Sequence, residues 1–299
     1  MGSIIMDTPL VSVLMTSYNR EKYIAEAIES LLRSTYQNFE LIIVDDRSKD
    51  RTAEIAKEYE QKDDRIKVFL NEKNLGQFPN RNYAASLAKG KYLKYLDSDD
   101  LIYPGGLSTL VEMMEKFPDA GYGLCSLDQD VNKIFPFSIT PKEAYERHFC
   151  KGIPLFHKAP LSSIIRVDAF KAVNGFTNNS GEGDYEMWLS LSQKQNVVLM
   201  PHGIVWYRQH DEQIDFERRN NPIPVFKYFI VTLKYLESKD CPLDQVQRDK
   251  LKKEKNIQMV KMIIKSFFKY SPKVAGEMYY LANYSFSDFM KISLQAIKK

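Results

Sequence analysis

Apolar and polar positions change their period repeatedly along this chain, and each change marks an expected element. Leu10–Met15, Leu41–Asp45, Ile66–Leu70 and Tyr92–Leu96 are short apolar runs, the pattern of strands covered on both faces of a parallel sheet. Between them the spacing is helical. Ile24, Ala27, Ile28, Leu31 and Leu32 follow Asn19, and Ile55, Ala56 and Tyr59 follow Ser48; Asn and Ser are favoured N-caps. A third helix is expected over Asn80–Ala88, and a fourth opens at Pro104, a residue type favoured in a first helical turn. Strands alternating with helices predict right-handed βαβ units and a doubly wound α/β sheet. From Pro136 to Pro160, four prolines and several aromatics break the pattern, as in a connecting or substrate-covering segment. Strand-like runs return at Leu161–Arg166, Val197–Met200 and Ile204–Arg208, with a helix expected over Asp184–Gln195. Beyond Asn221 the spacing is helical throughout. Two prolines and few apolar residues between Asp215 and Val225 divide the chain into a main domain, 1–215, and a helical extension, 216–299.

Composition narrows the class. With 44% apolar and 12% aromatic residues among 299, and 13 Gly and 13 Pro, disordered, collagen-like and low-complexity chains are excluded. Cys125, Cys150 and Cys241 are far apart and lack CxxC spacing, so neither a disulfide framework nor a zinc site is expected and a cytoplasmic setting fits. No apolar run reaches the length of about 18 residues that spans a bilayer, and the N-terminus lacks the pattern of a signal peptide. Met1-Gly2 opens like an acylation site, but Met6 stands where Ser or Thr is required. The net charge of +3 argues against nucleic-acid binding, yet it is a cancellation. Arg248–Lys299 holds twelve Lys and Arg against four acids, a net of +8, which leaves −5 for residues 1–247.

Chemistry is expected beyond the carboxyl ends of the strands, where open α/β sheets bind ligands. Asp45 and Asp46 end one run, and Asp97, Asp99 and Asp100 end another. Three carboxylates within four residues repel one another unless a cation or donors compensate, and oxygen ligands suit Mg²⁺ or Mn²⁺. The alternative is a solvated acidic turn ahead of the helix at Pro104. Neither GxGxxG nor GxxxxGK[ST] occurs, which disfavours a dehydrogenase or a P-loop enzyme.

Val11-Ser-Val-Leu-Met-Thr-Ser-Tyr-Asn-Arg20, Leu41-Ile-Ile-Val-Asp-Asp-Arg-Ser-Lys-Asp-Arg-Thr52, Asn74-Leu-Gly76 with Arg81-Asn82, and Leu96-Asp-Ser-Asp-Asp100 resemble the family 2 glycosyltransferases in order and spacing. Asn174-Gly175-Phe176, Gly183-Asp184-Tyr-Glu-Met-Trp-Leu189 and Tyr207-Arg208-Gln209-His210 extend the resemblance over roughly residues 9–212. It implies the GT-A fold, with a mixed, mostly parallel sheet flanked by helices. It also implies an inverting, metal-dependent transfer from a nucleotide sugar, a UDP-sugar, to a glycan or lipid-linked acceptor in polysaccharide or glycoconjugate synthesis. By the same resemblance Thr16, Tyr18 and Asp46 contact the nucleoside, Arg81 lies near the diphosphate, and Asp97 and Asp99 are the acids of the DxD motif. Asp99, Asp100 and His210 are then candidate ligands of Mn²⁺ or Mg²⁺, and Asp184 falls on the general base. The family often carries an acid immediately before that base; here that place is Gly183, and Glu182, two residues before Asp184, is the rival carboxylate for the role.

The implied chemistry needs acids and no covalent nucleophile. A cation offsets charge on a leaving diphosphate, and a carboxylate that takes the acceptor proton contributes roughly 10²–10⁴-fold. Alternatives remain for single residues: Asp184 as an N-cap, Arg81 as a solvated charge on a surface helix, Tyr18 as core packing, and His210 as a structural histidine. Two other functions compete. A sugar-1-phosphate nucleotidylyltransferase would need a glycine-rich basic loop where Thr16–Arg20 has no glycine, and a non-catalytic sugar-nucleotide-binding module would not need Asp184. In the tail, Lys261, Lys265 and Lys269 form an i, i+4 row beside apolar residues of Ile257–Lys269. Peripheral contact with the inner face of a membrane, packing on the main domain and homodimer formation are the three expected uses of such a helix.

Overall fold

The computed structural model describes residues 8–177, 182–210 and 221–297. In its first half, β1 (Val11–Ser17), β2 (Phe39–Asp45), β3 (Ile66–Leu70) and β4 (Tyr92–Tyr95) alternate with α1 (Ile24–Leu32), α2 (Thr52–Glu60) and α3 (Gln77–Ser86). There follow β5 (Leu101–Ile102), α4 (Gly106–Glu115), β6 (Ala120–Leu127), β7 (Phe137–Ile139), α5 (Pro141–Tyr145), β8 (Ser163–Arg166), α6 (Val167–Ala172), α7 (Gly183–Lys194), β9 (Asn196–Pro201) and β10 (Val205–Trp206). Eight strands form one sheet in the order β3-β2-β1-β4-β8-β6-β9-β7, and β5 pairs with β10 in a second. β1 to β4 are parallel, β8 runs antiparallel to β4 and β6, β9 is parallel to β6, and β7 closes the edge antiparallel. This is the mixed, mostly parallel sheet that was expected.

Side-chain alternation along the strands divides the core between the two faces. Val11, Val13 and Met15 of β1 pack with Ile24, Ile28 and Leu31 of α1 and with Leu107 and Leu110 of α4. Leu14 and the β2 residues Ile42 and Val44 face Phe78 of α3 and Trp188 of α7. Both faces are covered, so the strands read as unbroken apolar runs.

Several local expectations are corrected. Asn19 does not cap α1: its backbone is left-handed (φ 53°) and its amide donates to Ser48 Oγ, so the helix begins five residues later. Ser48 is taken by that bond and by Asp45, and α2 starts only at Thr52. Gly76 (φ 84°) precedes α3, which therefore begins three residues before Asn80. The segment Pro136–Pro160 is more regular than expected, holding edge strand β7 and helix α5, with a Thr140–Glu143 capping box. Of Ile204–Arg208, Val205–Trp206 forms a strand, paired with β5.

Among the described residues four helices follow: α8 (Ile223–Glu237), α9 (Gln245–Lys269), α10 (Pro272–Ala282) and α11 (Phe286–Ile297). Phe226, Met259, Ile263, Ala275 and Met278 form their own core, while Val231, Tyr235 and Leu236 of α8 join the core of the main sheet. The expected boundary at 215/216 lies outside the described residues. Among the described residues no helix is long and apolar enough to cross a membrane.

Candidate active site

The carboxyl ends of β1, β2 and β4 open on a cavity of about 610 Å³ whose walls include Thr16, Tyr18, Asp46, Arg81, Asp97, Asp99 and Asp184. Seven of the nine residues singled out in the sequence thus face one space. Asp100 and His210 lie behind it, beside Asp99.

Asp46 follows β2 and is held by the turn over residues 71–76. Its Oδ1 accepts from Leu75 N (2.7 Å) and Asn71 Nδ2 (2.8 Å), and its Oδ2 from Gly76 N (2.9 Å). The left-handed backbone at Gly76, cheap for glycine, accompanies that amide contact. A carboxylate oxygen accepts two hydrogen bonds, so Oδ2 retains capacity for one ligand donor. Thr16 and Tyr18 lie alongside; Tyr18 is exposed, so core packing is not its role here.

Arg81 is not the solvated surface charge that a helix position suggests. It is 4% exposed, with Nη2 donating to Asp97 Oδ1 (2.8 Å) and Nη1 to Asp184 Oδ1 (3.0 Å). Burial works against its charge, but Asp97 and Asp184 outweigh it and raise the guanidinium above its ordinary value. Asp184 sits in the first turn of α7, where the helix dipole favours an anion. The cap position belongs to Glu182, which makes no side-chain cap bond. Gly183 between them has no room to be anything larger: a Cβ there would stand 2.7 Å from the Phe78 ring.

The acidic turn after β4 is a network of donors and acceptors. Asp99 Oδ2 accepts from Arg20 Nε (2.9 Å) and stands 3.2 Å from His210 Nε2. Asp100 Oδ1 accepts from Arg208 N (2.8 Å), and Arg208 Nε donates to Asp99 O (2.8 Å). The β5–β10 pair draws Tyr207–His210 to this turn. Asp100 is buried, and its Oδ2 has no hydrogen-bond partner among the described residues. Burial, then Asp97, pushes its carboxyl up to about 8.

These groups suit a hard divalent cation. Carboxylate oxygens are ligands for Mn²⁺ and Mg²⁺, and an orphaned buried carboxylate oxygen calls for a proton or a cation. Among the described residues no three His, Cys, Asp or Glu side chains converge as a complete site, so ligand oxygens and water would have to complete the shell.

Some contributors carry no signal that sequence reasoning could use. Arg20 and Asn71 take their roles from partners distant in the chain. Glu186, a buried residue of α7, pairs with Lys234 of α8 (2.6 Å) and accepts from Thr177. Tyr228 of α8 reaches the cavity wall, its ring 4.9 Å from that of Tyr185, so the helical extension shares in the site.

Residues 12–173, more than half of the chain, match the family "Glycosyl transferase family 2". A glycosyltransferase of Methanocaldococcus jannaschii is 47% identical over 116 residues, covering 38% of this chain and 40% of its own length. The Escherichia coli UDP-Glc:alpha-D-GlcNAc-diphosphoundecaprenol beta-1,3-glucosyltransferase WfgD is 32% identical over 205 residues, covering 67% of this chain and 76% of its own. Among solved structures, S. aureus TarS in complex with UDP-GlcNAc superposes with a TM-score of 0.69 at 19% identity, covering 94% of this chain and 81% of that one. The Pyrobaculum calidifontis mannosyltransferase PcManGT, in complex with GDP-Man and Mn²⁺, gives 0.62 at 15% identity, covering 98% and 88%. The sheet order and these superpositions identify the GT-A fold, and the sequence match assigns the chain to glycosyl transferase family 2.

Proposed function

We propose that this protein transfers a sugar, with inversion, from a UDP-sugar to the hydroxyl of a glycan or lipid-linked acceptor, in polysaccharide or glycoconjugate synthesis at the cytoplasmic face of a membrane. The observation that carries the reading is Arg81: one buried guanidinium ties Asp97, on the donor side, to Asp184, on the acceptor side, across one cavity. Residues 1–215 are the catalytic unit in this reading, and 216–299 an extension that lends it Tyr228.

Asp46 accepts from the uracil ring with the remaining capacity of Oδ2, Tyr18 packs on the nucleoside beside Thr16, and Asp97 accepts from the ribose. Asp99 and His210, with Asp100 behind them, would hold Mn²⁺ or Mg²⁺, which when bound offsets the charge of the leaving diphosphate. Asp184 takes the acceptor's hydroxyl proton as that oxygen forms its bond to the anomeric carbon. The bond from that carbon to the nucleoside diphosphate breaks in the same step, and the leaving group departs with the electron pair. One displacement inverts the anomeric centre. Arg81 fixes the direction of both carboxylates, the positioning on which such a step depends. A UDP-sugar and a lipid-linked acceptor are supported by the name of WfgD, UDP by the ligand of TarS, and a divalent ion by that of PcManGT.

Calorimetry with UDP, with and without Mn²⁺, tests the donor half. Mn²⁺ should tighten binding in the wild type and do nothing for Asp99→Ala. Asp184→Asn should bind UDP normally but lose roughly 10²–10⁴-fold in turnover. Metal-independent UDP binding, or an Asp184→Asn enzyme at full rate, would overturn the reading. Retention of anomeric configuration in the product would overturn its stereochemistry.

A further inference from the structure

The positive charge of the chain is concentrated where its apolar surface is least covered. α9 turns Met259 and Ile263 toward the helical core. On its other side Lys261, Ile264, Lys265 and Phe268 follow one another at i, i+3, i+4 and i+7, a single helix face, and all four are exposed. Phe268 is 81% exposed, with the ring of Phe267 edge-on at 5.3 Å. Lys269 continues the basic row to the end of α9, and Lys273 is exposed in the first turn of α10. α11 packs on α9 and leaves a second apolar stripe uncovered, Phe286, Met290 and Leu294. Grouped exposed apolar residues rimmed by polar ones mark interaction sites.

We propose that the carboxyl-terminal half of α9, with the exposed stripe of α11, docks the protein on an anionic phospholipid surface. The aromatic rings enter the boundary between headgroups and acyl chains, and the lysines meet the phosphates. Charge favours lipid over a second copy of the chain. Two copies meeting through this face would oppose their lysine rows, a like-charge contact that costs affinity, whereas an anionic bilayer complements it. Between residues 255 and 297 six lysines stand against Glu277 and Asp288. No helix among the described residues is long and apolar enough to cross a bilayer, so the contact is peripheral. α8 packs on α9 and carries Tyr228 to the cavity wall, so docking would hold the cavity in a fixed relation to the lipid. The docking surface does not depend on the chemistry of the cavity.

The test is sedimentation of the full chain with vesicles of equimolar phosphatidylglycerol and phosphatidylcholine, against pure phosphatidylcholine. The wild type should sediment with the anionic vesicles at low salt and be released by high salt. Each lysine near a charged surface contributes about five-fold in partitioning, so Lys265→Gln/Lys269→Gln should weaken binding roughly 30-fold. Phe267→Ser/Phe268→Ser should abolish it. Both variants should keep the wild-type melting temperature and UDP affinity. A wild type that stays in the supernatant, or variants that bind like it, would overturn the proposal. So would a dimer in size-exclusion chromatography that Phe267→Ser/Phe268→Ser dissociates. UDP affinity, read in the same samples, separates failure of this surface from failure of the catalytic reading.

Discussion

Replacing Arg81 probes the site where stability and chemistry meet. Arg81→Met keeps much of the length of the side chain and removes both hydrogen bonds, at 2.8 Å to Asp97 and 3.0 Å to Asp184. Breaking a fully buried ion pair costs about 3–5 kcal/mol because the orphaned charge stays behind. Here the orphaned carboxylates reach water, with side chains 21% and 31% exposed, so about 2 kcal/mol is the appropriate figure after discounting for solvent. For a protein of this size that lowers the melting temperature by about 3 °C. Turnover should suffer more than stability, because a carboxylate misplaced by about 1 Å can cost about 10²-fold. Arg81→Lys should lie between the two: an ammonium keeps the charge but cannot reach both carboxylates with a rigid fork. Differential scanning fluorimetry and initial rates measure both effects. An Arg81→Lys enzyme with wild-type melting temperature and rate would refute the reasoning, and so would Arg81→Met that loses stability while turnover is unchanged.

Three further outcomes follow from the same geometry. Asp46→Ala strips the acceptor from Leu75 N and Gly76 N and should weaken UDP at least about tenfold, about 1.4 kcal/mol; an unchanged dissociation constant would remove Asp46 from the nucleoside site. Gly183→Ala sets a methyl group 2.7 Å from the Phe78 ring and should cost about 1–3 kcal/mol by overpacking, read as a lowered urea midpoint that Phe78→Leu partly restores; a midpoint at the wild-type value contradicts this. His148 accepts from Phe156 N at 3.3 Å, and burial, with His157 and Lys255 nearby, pushes it down to about 3. The unfolded chain therefore takes the proton first. Stability is complete above the ordinary histidine value and falls as the pH drops towards 3, by about 2 kcal/mol between pH 7 and 5. His148→Asn should flatten that slope in urea titrations, and parallel curves would exclude His148 as its source.

How much of this was legible in the sequence depended on whether a residue's role is local. β1 to β4 were legible because both faces of a parallel sheet are covered, which forces continuous apolar runs. The acids beyond those strands were legible for a related reason, since polar residues at the ends of such runs have little use in a core. β6 was not. Its sequence Ala120–Leu127 contains two glycines and little β preference, and it is a strand because β8 and β9 flank it. Arg81 was singled out, but its burial and its two carboxylate partners were not legible. Nothing in its own helix indicates burial; Asp97 and Asp184, 16 and 103 residues away, decide it.

Gly183 shows how such distant partners reshape a motif. Gly183 stands where the resembled family often carries an acid. The structure supplies a physical reason for the glycine: Phe78 occupies the space a side chain would need, stacked on Phe176 with ring centroids 5.9 Å apart. Phe176 in turn meets Tyr95 edge-on at 5.4 Å, and the Arg81 guanidinium lies over both Tyr95 and Phe176 at 5.9 and 5.8 Å. The aromatic wall that excludes a side chain at position 183 is therefore continuous with the bed on which Arg81 rests. A further carboxylate at that position would add negative charge beside Asp184 and displace the ring that supports the guanidinium. One fork-shaped cation serves two acids, while Glu182 takes the cap position and lines the same cavity.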